Sequence, residues 1–296
     1  MFESIIRFFT RLFGLETDSD EIGFEDASDL PLNITVRQIP PPEEESSSRS
    51  VDSRSPNTSD FEDLDGASEG SNIDSVTVSN PKYLWCLDNG HGRLQAGKRS
   101  PVWSDGVQLQ EWKFNREIVQ RIAKRLDKIG LQYFIVVPED DVDSFLSERV
   151  ERANNKQSIL GLDKLFISVH ANAASAGATG IECWYHLNSS TGIRLASVFQ
   201  RHLMRALGQE SYPWRDRGIR TYSPANRNFY VLRKTNMPAV LTENGFYTNE
   251  HECRELLKPE VMDIIAEAHV TAILEIEMNG FQEAKIYDPN LQLRLS

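Results

Sequence analysis

Three short apolar runs, each followed by polar residues, constrain the fold of this chain more than any other feature. The runs are Tyr83–Leu87, Leu165–Val169 and Pro238–Leu241, and each is short and apolar enough to be a buried strand. Strands of this kind belong to parallel sheets that are covered on both faces, and such sheets place their ligands at the carboxyl edge. We therefore expect an α/β fold with a functional site where these three strands end.

The segments between these runs alternate between helical and strand patterns. Helices are predicted from about Glu111 to Ile129, where Gly130 stops the helix, and from about Pro259 to Met278. This alternation predicts one α/β domain over residues 81–278, with a central, mostly parallel sheet covered on both faces by helices. Residues 279–296 are predicted to be a C-terminal tail. The other predicted elements are helices at 142–155 and 191–207, and strands at 132–137, 181–185, around Ile219 and at 229–232.

The amino-terminal part of the chain differs sharply in composition from the rest. Residues 1–80 contain 18 Asp and Glu against 5 Lys and Arg, whereas residues 81–296 contain 26 and 27. We predict that residues 16–80 are a disordered acidic linker, because they offer too little apolar surface to offset the entropy of the chain. Neither part has the basic excess that is typical of a nucleic-acid-binding protein.

Residues 1–15 have the spacing of one apolar helical face. Arg7 and Arg11 interrupt the apolar run and Glu3 stands where a basic residue is usual, which argues against a secretory signal peptide. The segment is also too short to span a bilayer. Two interpretations stay open: a helix that docks on a membrane surface or a partner protein, or a helix that packs on its own domain.

Two histidines lie at the predicted carboxyl edge of the sheet. His91 stands between two glycines directly after the first strand, and His170 ends the second. Each histidine alone is more often structural, but two at the same edge of one sheet favour a metal site. Two histidines and one carboxylate hold zinc and leave a position open for water, as in catalytic zinc sites.

The carboxylate ligand has to be chosen between neighbouring acids. Glu111 and Glu117 share one predicted helix but point roughly 240° apart, so both cannot face one site. Glu111 opens the helix beside the loop that follows His91 and is the better ligand, whereas Glu117 is predicted to be a surface acid. Glu182 lies inside a predicted strand and is kept as a reserve candidate.

Glu243 follows an apolar run that should be buried. A buried carboxylate without a partner is unfavourable by several kcal/mol, roughly, so its presence needs a reason. Catalysis is one reason, since partial burial raises the pKa of a carboxyl group toward the range that suits a general base. The alternative is a buried salt bridge to an arginine such as Arg217 or Arg233.

These motifs, spread over about residues 83 to 276, resemble those of the zinc-dependent N-acetylmuramoyl-L-alanine amidases, which cleave the peptidoglycan of cell walls. That family has the series Asp-Pro-Gly-His-Gly, a downstream Glu, Ser-Ile/Val-His-Ala-Asn and Glu-x-Gly-Phe. Two departures are visible: Asn89 stands where proline is usual, and Asn244 stands where an apolar residue is common. In this chain the series is Asp88–Gly92, Glu111, Ser168–Asn172 and Glu243–Phe246.

The resemblance implies a sheet of about six strands flanked by helices. It also implies one Zn²⁺ bound by His91, Glu111 and His170, with Glu243 as the catalytic acid and base. Its substrate would be the amide between N-acetylmuramic acid and L-alanine in peptidoglycan, as in a remodelling enzyme, an autolysin or a phage endolysin. Further predicted roles are substrate contact by Arg217 and Asn172, and orientation of a metal ligand by Asp88.

Two other functions remain open from the sequence. One is a different zinc peptidase or deacetylase built on the same ligands, and the other is a non-catalytic wall-binding protein. Without a signal peptide, we expect synthesis in the cytoplasm and action at the cell wall or periplasm after release or non-classical export.

Overall fold

The computed structural model describes residues 77–139, 145–222 and 229–289. The strands are β1 (Tyr83–Asn89), β2 (Gln132–Ile135), β3 (Asp163–Asn172), β4 (Ile181–Trp184), β5 (Asp216–Arg220) and β6 (Ala239–Phe246). The helices are α1 (Glu111–Ile129), α2 (Leu146–Asn155), α3 (Ser190–Leu207), α4 (Tyr230–Lys234), α5 (Glu250–Leu256) and α6 (Pro259–Asn279). Helices α1, α3 and α6 cover one face of the six-stranded sheet, and α2 and α4 cover the other.

Successive residues of the central strands pack into two different cores. In β1, Trp85 and Leu87 belong to the larger core under α1, α3 and α6, whereas Cys86 belongs to the smaller core under α2 and α4. In β3, Phe166 belongs to the smaller core. This alternation follows from the period of two along a strand, and it explains why these strands are apolar without interruption.

The strand order is β2-β1-β3-β6-β4-β5, and only the β4–β6 pairing among the described strands is antiparallel. The predicted α/β fold with a mostly parallel sheet of about six strands is therefore confirmed. Because β1, β3 and β6 run in the same direction, their polar ends meet at one edge. Asp88 lies beside Ser168 in the β1–β3 register, and His170 lies beside Glu243 in the β3–β6 register.

The predicted helix over Glu111–Ile129 has the predicted bounds, and Gly130 ends it with a φ of 78°. The strand predicted at 229–232 is wrong, because residues 230–234 form helix α4 with Val231 and Leu232 buried side by side. Four apolar residues do not distinguish a strand from a helical turn. Helix α5 was not predicted, although Asn249 and Glu252 carry a capping signal: the Asn249 side chain accepts a hydrogen bond from the Glu252 amide.

The predicted helix at residues 1–15 and all of the predicted linker up to residue 76 lie outside the described residues. Val78 already belongs to the domain, since its amide donates to the Ile129 carbonyl at 2.8 Å. In the predicted C-terminal tail, Phe281 and Tyr287 are buried, and the Tyr287 hydroxyl donates to Asp216 at 2.6 Å. Within the described ranges, none of the helices has the length and apolar content needed to cross a bilayer.

Candidate active site

The structure brings His91, Glu111 and His170 together at the carboxyl edge of the sheet. One ligand atom from each lies within 4.8 Å of the others. Glu111 Oε1 is 3.2 Å from His91 Nε2 and 3.1 Å from His170 Nδ1. The two imidazole rings meet almost at right angles, with centroids 4.8 Å apart. A set of two histidines and one carboxylate is a typical donor set for zinc.

Hydrogen bonds at the outer ring nitrogens decide which atoms face this cluster. His91 Nδ1 donates to Gln95 Oε1 at 2.7 Å, which leaves the lone pair of Nε2 toward Glu111. His170 Nε2 donates to Ser168 Oγ at 3.1 Å, which leaves the lone pair of Nδ1 toward Glu111. Burial lowers the pKa of His170 and so favours the neutral ring. Three electron-rich atoms therefore converge with no proton between them, an arrangement that a cation satisfies.

The backbone around His91 adopts a conformation that places its ring in the site. His91 has a φ of 64°, the only positive value for a non-glycine residue in the described part of the chain. A left-handed residue other than glycine is strained by about 1–3 kcal/mol, and its surroundings must hold it there. Its carbonyl oxygen accepts hydrogen bonds from Arg149 at 2.7 Å and Arg116 at 3.0 Å. A side chain at Gly90 would lie 2.0 Å from the His170 ring, so glycine is required for the two histidines to approach.

Glu111 is the first residue of α1 and is buried. Burial by itself raises the pKa of Glu111, but the adjacent His170 and His91 rings hold it far below its ordinary value. The amino end of a helix also favours a negative charge. The Tyr247 hydroxyl donates a hydrogen bond to this carboxylate. Glu111 is thus held as an anion.

Asp88 acts on His170 through Ser168. The Ser168 hydroxyl donates to Asp88 Oδ2 at 2.6 Å, and the Arg149 guanidinium donates to Asp88 Oδ1, also at 2.6 Å. Burial raises the pKa of Asp88, yet the charge of Arg149 and the Ser168 hydrogen bond bring it below its ordinary value. The structure therefore places Asp88 behind the histidine, linked to its ring through the Ser168 hydroxyl.

Glu243 lies beside His170 and is 7% exposed. Its Oε2 atom has no hydrogen-bond partner among the described residues. Burial, together with the negative charges of Glu111 and Glu182, raises the pKa of Glu243 well above its ordinary value. A carboxyl group with a raised pKa holds its proton more readily than an ordinary glutamate, which suits general acid and base catalysis.

Both carboxylate oxygens of Glu182 accept hydrogen bonds, and these bonds hold Asn172 and Arg217. Its Oε1 accepts hydrogen bonds from Asn172 Nδ2 and Trp184 Nε1, both at 2.9 Å. Its Oε2 accepts one from Arg217 Nε, and Arg220 Nε lies 2.9 Å from the same oxygen as an ion pair without hydrogen-bond geometry. The salt bridge considered for Glu243 with Arg217 is therefore made by Glu182 instead.

The side chains of His91, Glu111, His170 and Glu243 line one cleft of about 710 Å³. Asn172 and Asp88 line this cleft, whereas Arg217 is not among its lining residues and stacks over the Phe246 ring at 4.8 Å. Sequence reasoning missed several lining residues. Of these residues, Tyr247 would have been the easiest to predict, because it directly follows the motif that contains Glu243. Other lining side chains that the sequence analysis did not single out include Gln95, Lys98, Phe145, Tyr222, Phe229 and Tyr230.

Comparison with known proteins agrees with this geometry. A family model described as N-acetylmuramoyl-L-alanine amidase matches residues 86–275. The endolysin of Bacillus phage SPP1 is 32% identical over 203 residues, which cover 66% of each chain. The amidase LytC of Bacillus subtilis is 32% identical over 185 residues, which cover 62% of this chain but only 33% of that protein. This chain therefore spans only part of these two relatives.

A solved structure provides the corresponding comparison of folds. The N-acetylmuramoyl-L-alanine amidase from Clostridium difficile 630 is 30% identical, with a TM-score of 0.57 over 68% of this chain and 99% of that one. The family match covers more than half of the chain and includes every proposed metal ligand. The enzyme class predicted from the motifs is confirmed, and the chain belongs to the N-acetylmuramoyl-L-alanine amidase family.

Proposed function

We propose that the domain at residues 81–278 hydrolyses the amide between N-acetylmuramic acid and L-alanine in peptidoglycan, with one zinc ion, as a wall-remodelling enzyme or a phage-type lysin. The observation that carries this proposal is the convergence of His91, Glu111 and His170 beside the unpartnered oxygen of Glu243. The proposal extends to this chain the activity named for relatives that it covers only in part.

The residues present fit a zinc ion. His91 Nε2, His170 Nδ1 and a Glu111 oxygen would hold it, because their lone pairs converge and their outer hydrogen bonds fix both rings. When bound there, zinc supplies a Lewis acid for the scissile carbonyl and lowers the pKa of a water molecule.

Glu243 supplies the proton transfers. As a carboxylate it takes a proton from the attacking water, and as an acid it returns that proton to the nitrogen of the leaving L-alanine. Its raised pKa suits the second step, and its unpartnered oxygen is free to make the required hydrogen bonds. Ser168 and Asp88 keep the His170 ring in place during both steps.

The two alternative functions differ in how well they explain this site. A non-catalytic wall-binding protein gives no reason for a buried carboxyl group with an unpartnered oxygen. A different zinc peptidase or deacetylase would use the same residues, so only the bond that is cleaved separates it from an amidase.

Product analysis tests the proposal directly. Zinc-loaded protein and purified peptidoglycan should release stem peptides with a free L-alanine amino terminus, detected by mass spectrometry, and a chelator should abolish this release. His91→Ala, Glu111→Ala and His170→Ala should each lower zinc content and activity together. His251→Ala, at an exposed histidine of α5, is the matched control and should change neither. Cleavage within the stem peptide would instead identify a peptidase.

The amino-terminal segment has a separate proposed role. We propose that residues 1–15 dock on an anionic membrane surface, because they combine an apolar helical face with Arg7 and Arg11. Co-sedimentation with vesicles containing anionic lipid should be lost on removal of these residues. Equal sedimentation of both proteins would contradict this role. For the whole protein, we propose action at the cell wall after release or non-classical export.

A further inference from the structure

Three aromatic side chains from three segments pack together beside the cleft, and two of them line it. Trp184 ends β4, Tyr222 follows β5 and Phe229 precedes α4. The Trp184 and Tyr222 rings are stacked, with centroids 4.6 Å apart and 27° between their planes. Phe229 meets both rings edge-on, at 5.4 Å from Trp184 and 5.2 Å from Tyr222. We call Trp184, Tyr222 and Phe229 the aromatic wall.

The aromatic wall is partly exposed, and two of its rings face the same cleft as Glu243. All three rings are of intermediate exposure, and Tyr222 and Phe229 line the cleft together with Glu243 and His170. Trp184 and Phe229 pack on the smaller core, so the wall is anchored on one side and open to the cleft at Tyr222 and Phe229.

A hydrogen bond fixes the aromatic wall relative to the catalytic residues. Trp184 Nε1 donates to Glu182 Oε1 at 2.9 Å, and the same oxygen accepts from Asn172 at the end of β3. Glu182 in turn lies directly opposite Glu243 in the β4–β6 register. Burial raises the pKa of the Tyr222 hydroxyl, and the nearby negative charges of Glu243 and Glu182 raise it further. The wall is thus a preorganised surface beside the catalytic carboxyl group.

The chemistry of the proposed substrate indicates what this surface binds. The scissile amide joins a sugar derivative to a peptide, so a cleft centred on Glu243 must accept both partners. A pyranose ring presents a face of C–H groups with polar groups at its rim. Such a face packs on the negative face of an aromatic ring, whereas a flexible stem peptide with charged groups has less to gain there.

We propose that the aromatic wall is a subsite for a pyranose ring of the peptidoglycan glycan strand. This inference rests on the proposed amidase function, since it takes the substrate from there. In this arrangement Tyr222 provides the stacking ring, Trp184 supports it from behind, and Phe229 holds both rings in place.

Binding of a product fragment tests the subsite without turnover. The probe is the disaccharide of N-acetylglucosamine and N-acetylmuramic acid without peptide, measured by titration calorimetry against the full, zinc-loaded chain. Tyr222→Ala should weaken binding about tenfold, a change in the range of one aromatic stacking contact. Tyr222→Phe keeps the ring and should bind within about twofold of the unchanged protein. Tyr133→Ala removes an aromatic ring outside the cleft and should leave binding unchanged.

The outcomes separate the subsite from the proposed function. Disaccharide binding that depends on Tyr222 in a protein without amidase activity would support the subsite and overturn the function. Unchanged disaccharide affinity in Tyr222→Ala would overturn the subsite while the function stands. A loss of affinity for free stem peptide alone, with disaccharide binding retained, would also overturn it. If Tyr222→Ala has a lowered melting temperature, Trp184→Phe, which keeps an aromatic ring, serves as the second variant and should weaken binding.

Discussion

Strand β6 has the parallel neighbour β3 on one side and the antiparallel neighbour β4 on the other. The buried carboxyl groups of β6 and β4 differ in their hydrogen bonding. Glu243 of β6 lies beside His170 on the parallel side and opposite Glu182 on the antiparallel side. Glu182 is 3% exposed and has three hydrogen-bond donors. Glu243 is almost as buried, yet one of its oxygens has no partner among the described residues.

This difference in hydrogen bonding distinguishes a carboxyl group that stabilises the fold from one that is available for a reaction. Buried polar groups in proteins are nearly always hydrogen-bonded, because an unmet group loses its bonds to water without replacement. Glu182 follows this rule and anchors Asn172, Trp184 and Arg217. Glu243 breaks this rule at the position where the proposed reaction needs a carboxyl group that can still form hydrogen bonds. Five changes test this contrast.

The largest expected effect is on catalysis by Glu243→Gln. The amide keeps the shape of the side chain and removes its ability to transfer protons, so activity should fall at least about 10²–10⁴-fold. Zinc content should stay close to that of the unchanged protein, and stability should be retained or gained, because a strained buried acid is removed. Dye release from labelled peptidoglycan, set beside atomic absorption, measures both. Loss of zinc in this variant would show that Glu243 is a metal ligand and would contradict the contrast drawn between Glu182 and Glu243.

The Asp88–Arg149 pair should show the largest effect on stability. Both side chains are almost fully buried, so Asp88→Asn or Arg149→Met leaves an uncompensated charge or donor group. Breaking such a pair is typically destabilising by about 3–5 kcal/mol. The double variant should lose less than the sum of the single losses, as expected for groups in contact. Urea unfolding gives these free energies, and additive losses would show that the pair is not coupled.

A buried histidine behind β6 should make stability depend on pH. His269 Nδ1 donates to the Ile265 carbonyl at 2.7 Å, so Nε2 accepts from the Thr242 hydroxyl at 3.0 Å, and burial lowers the pKa of His269 to about 4 from an ordinary 6.5. The unfolded chain therefore binds a proton more readily than the fold does between these two values. This contribution to stability is fully present above pH 6.5 and is lost as the pH falls toward 4, by on the order of 3 kcal/mol.

Urea unfolding at pH 7 and pH 4.5 measures this dependence. His269→Gln should flatten the difference between the two pH values, since glutamine does not titrate in this range. The same slope in both proteins would assign the acid sensitivity to other groups.

Glu182→Gln should do the reverse of Glu243→Gln. Without the negative charge, Arg217 loses its ion-pair partner, and the free energy of unfolding should fall by about 1–3 kcal/mol. Activity should fall far less than in Glu243→Gln, because Glu182 has no free oxygen for proton transfer. A loss of activity equal to that of Glu243→Gln, with zinc and fold retained, would move the catalytic role to Glu182.

The smallest effect is expected at Asn244, where the family more often has an apolar residue. Asn244 Nδ2 donates to the His170 carbonyl at 2.9 Å and to the Thr242 hydroxyl at 3.2 Å, but its Oδ1 has no partner among the described residues. Asn244→Leu loses two bonds and removes one unmet group, so the opposing effects should leave stability changed by only about 1 kcal/mol. Thermal unfolding together with a zinc affinity measurement checks this. A large drop in zinc affinity would show that His170 depends on Asn244 for its position.

The sequence by itself determined the elements whose signals are local. The run Tyr83–Leu87 predicted β1, the helical period from Glu111 and the stop at Gly130 predicted α1, and the histidines followed from their places at strand ends. These signals depend on residues a few positions apart, and a strand or helix imposes its period on them directly. The edge at which His91, Glu111 and His170 meet was predictable for the same reason, because parallel strands bring their carboxyl ends together.

The tertiary structure alone decided which partner each polar group has. In the sequence, Glu182 and Glu243 look alike, since both are acids within apolar strands. Only the packing of β4 antiparallel to β6 shows that Glu182, and not Glu243, binds Arg217 and Asn172. The aromatic wall could not be predicted from the sequence either, since its rings come from three separate segments that share no sequence pattern. Hydrogen bonds and ring contacts join residues that are distant in the chain, so the packing of the elements, and not the pattern within any one of them, selects the pairs.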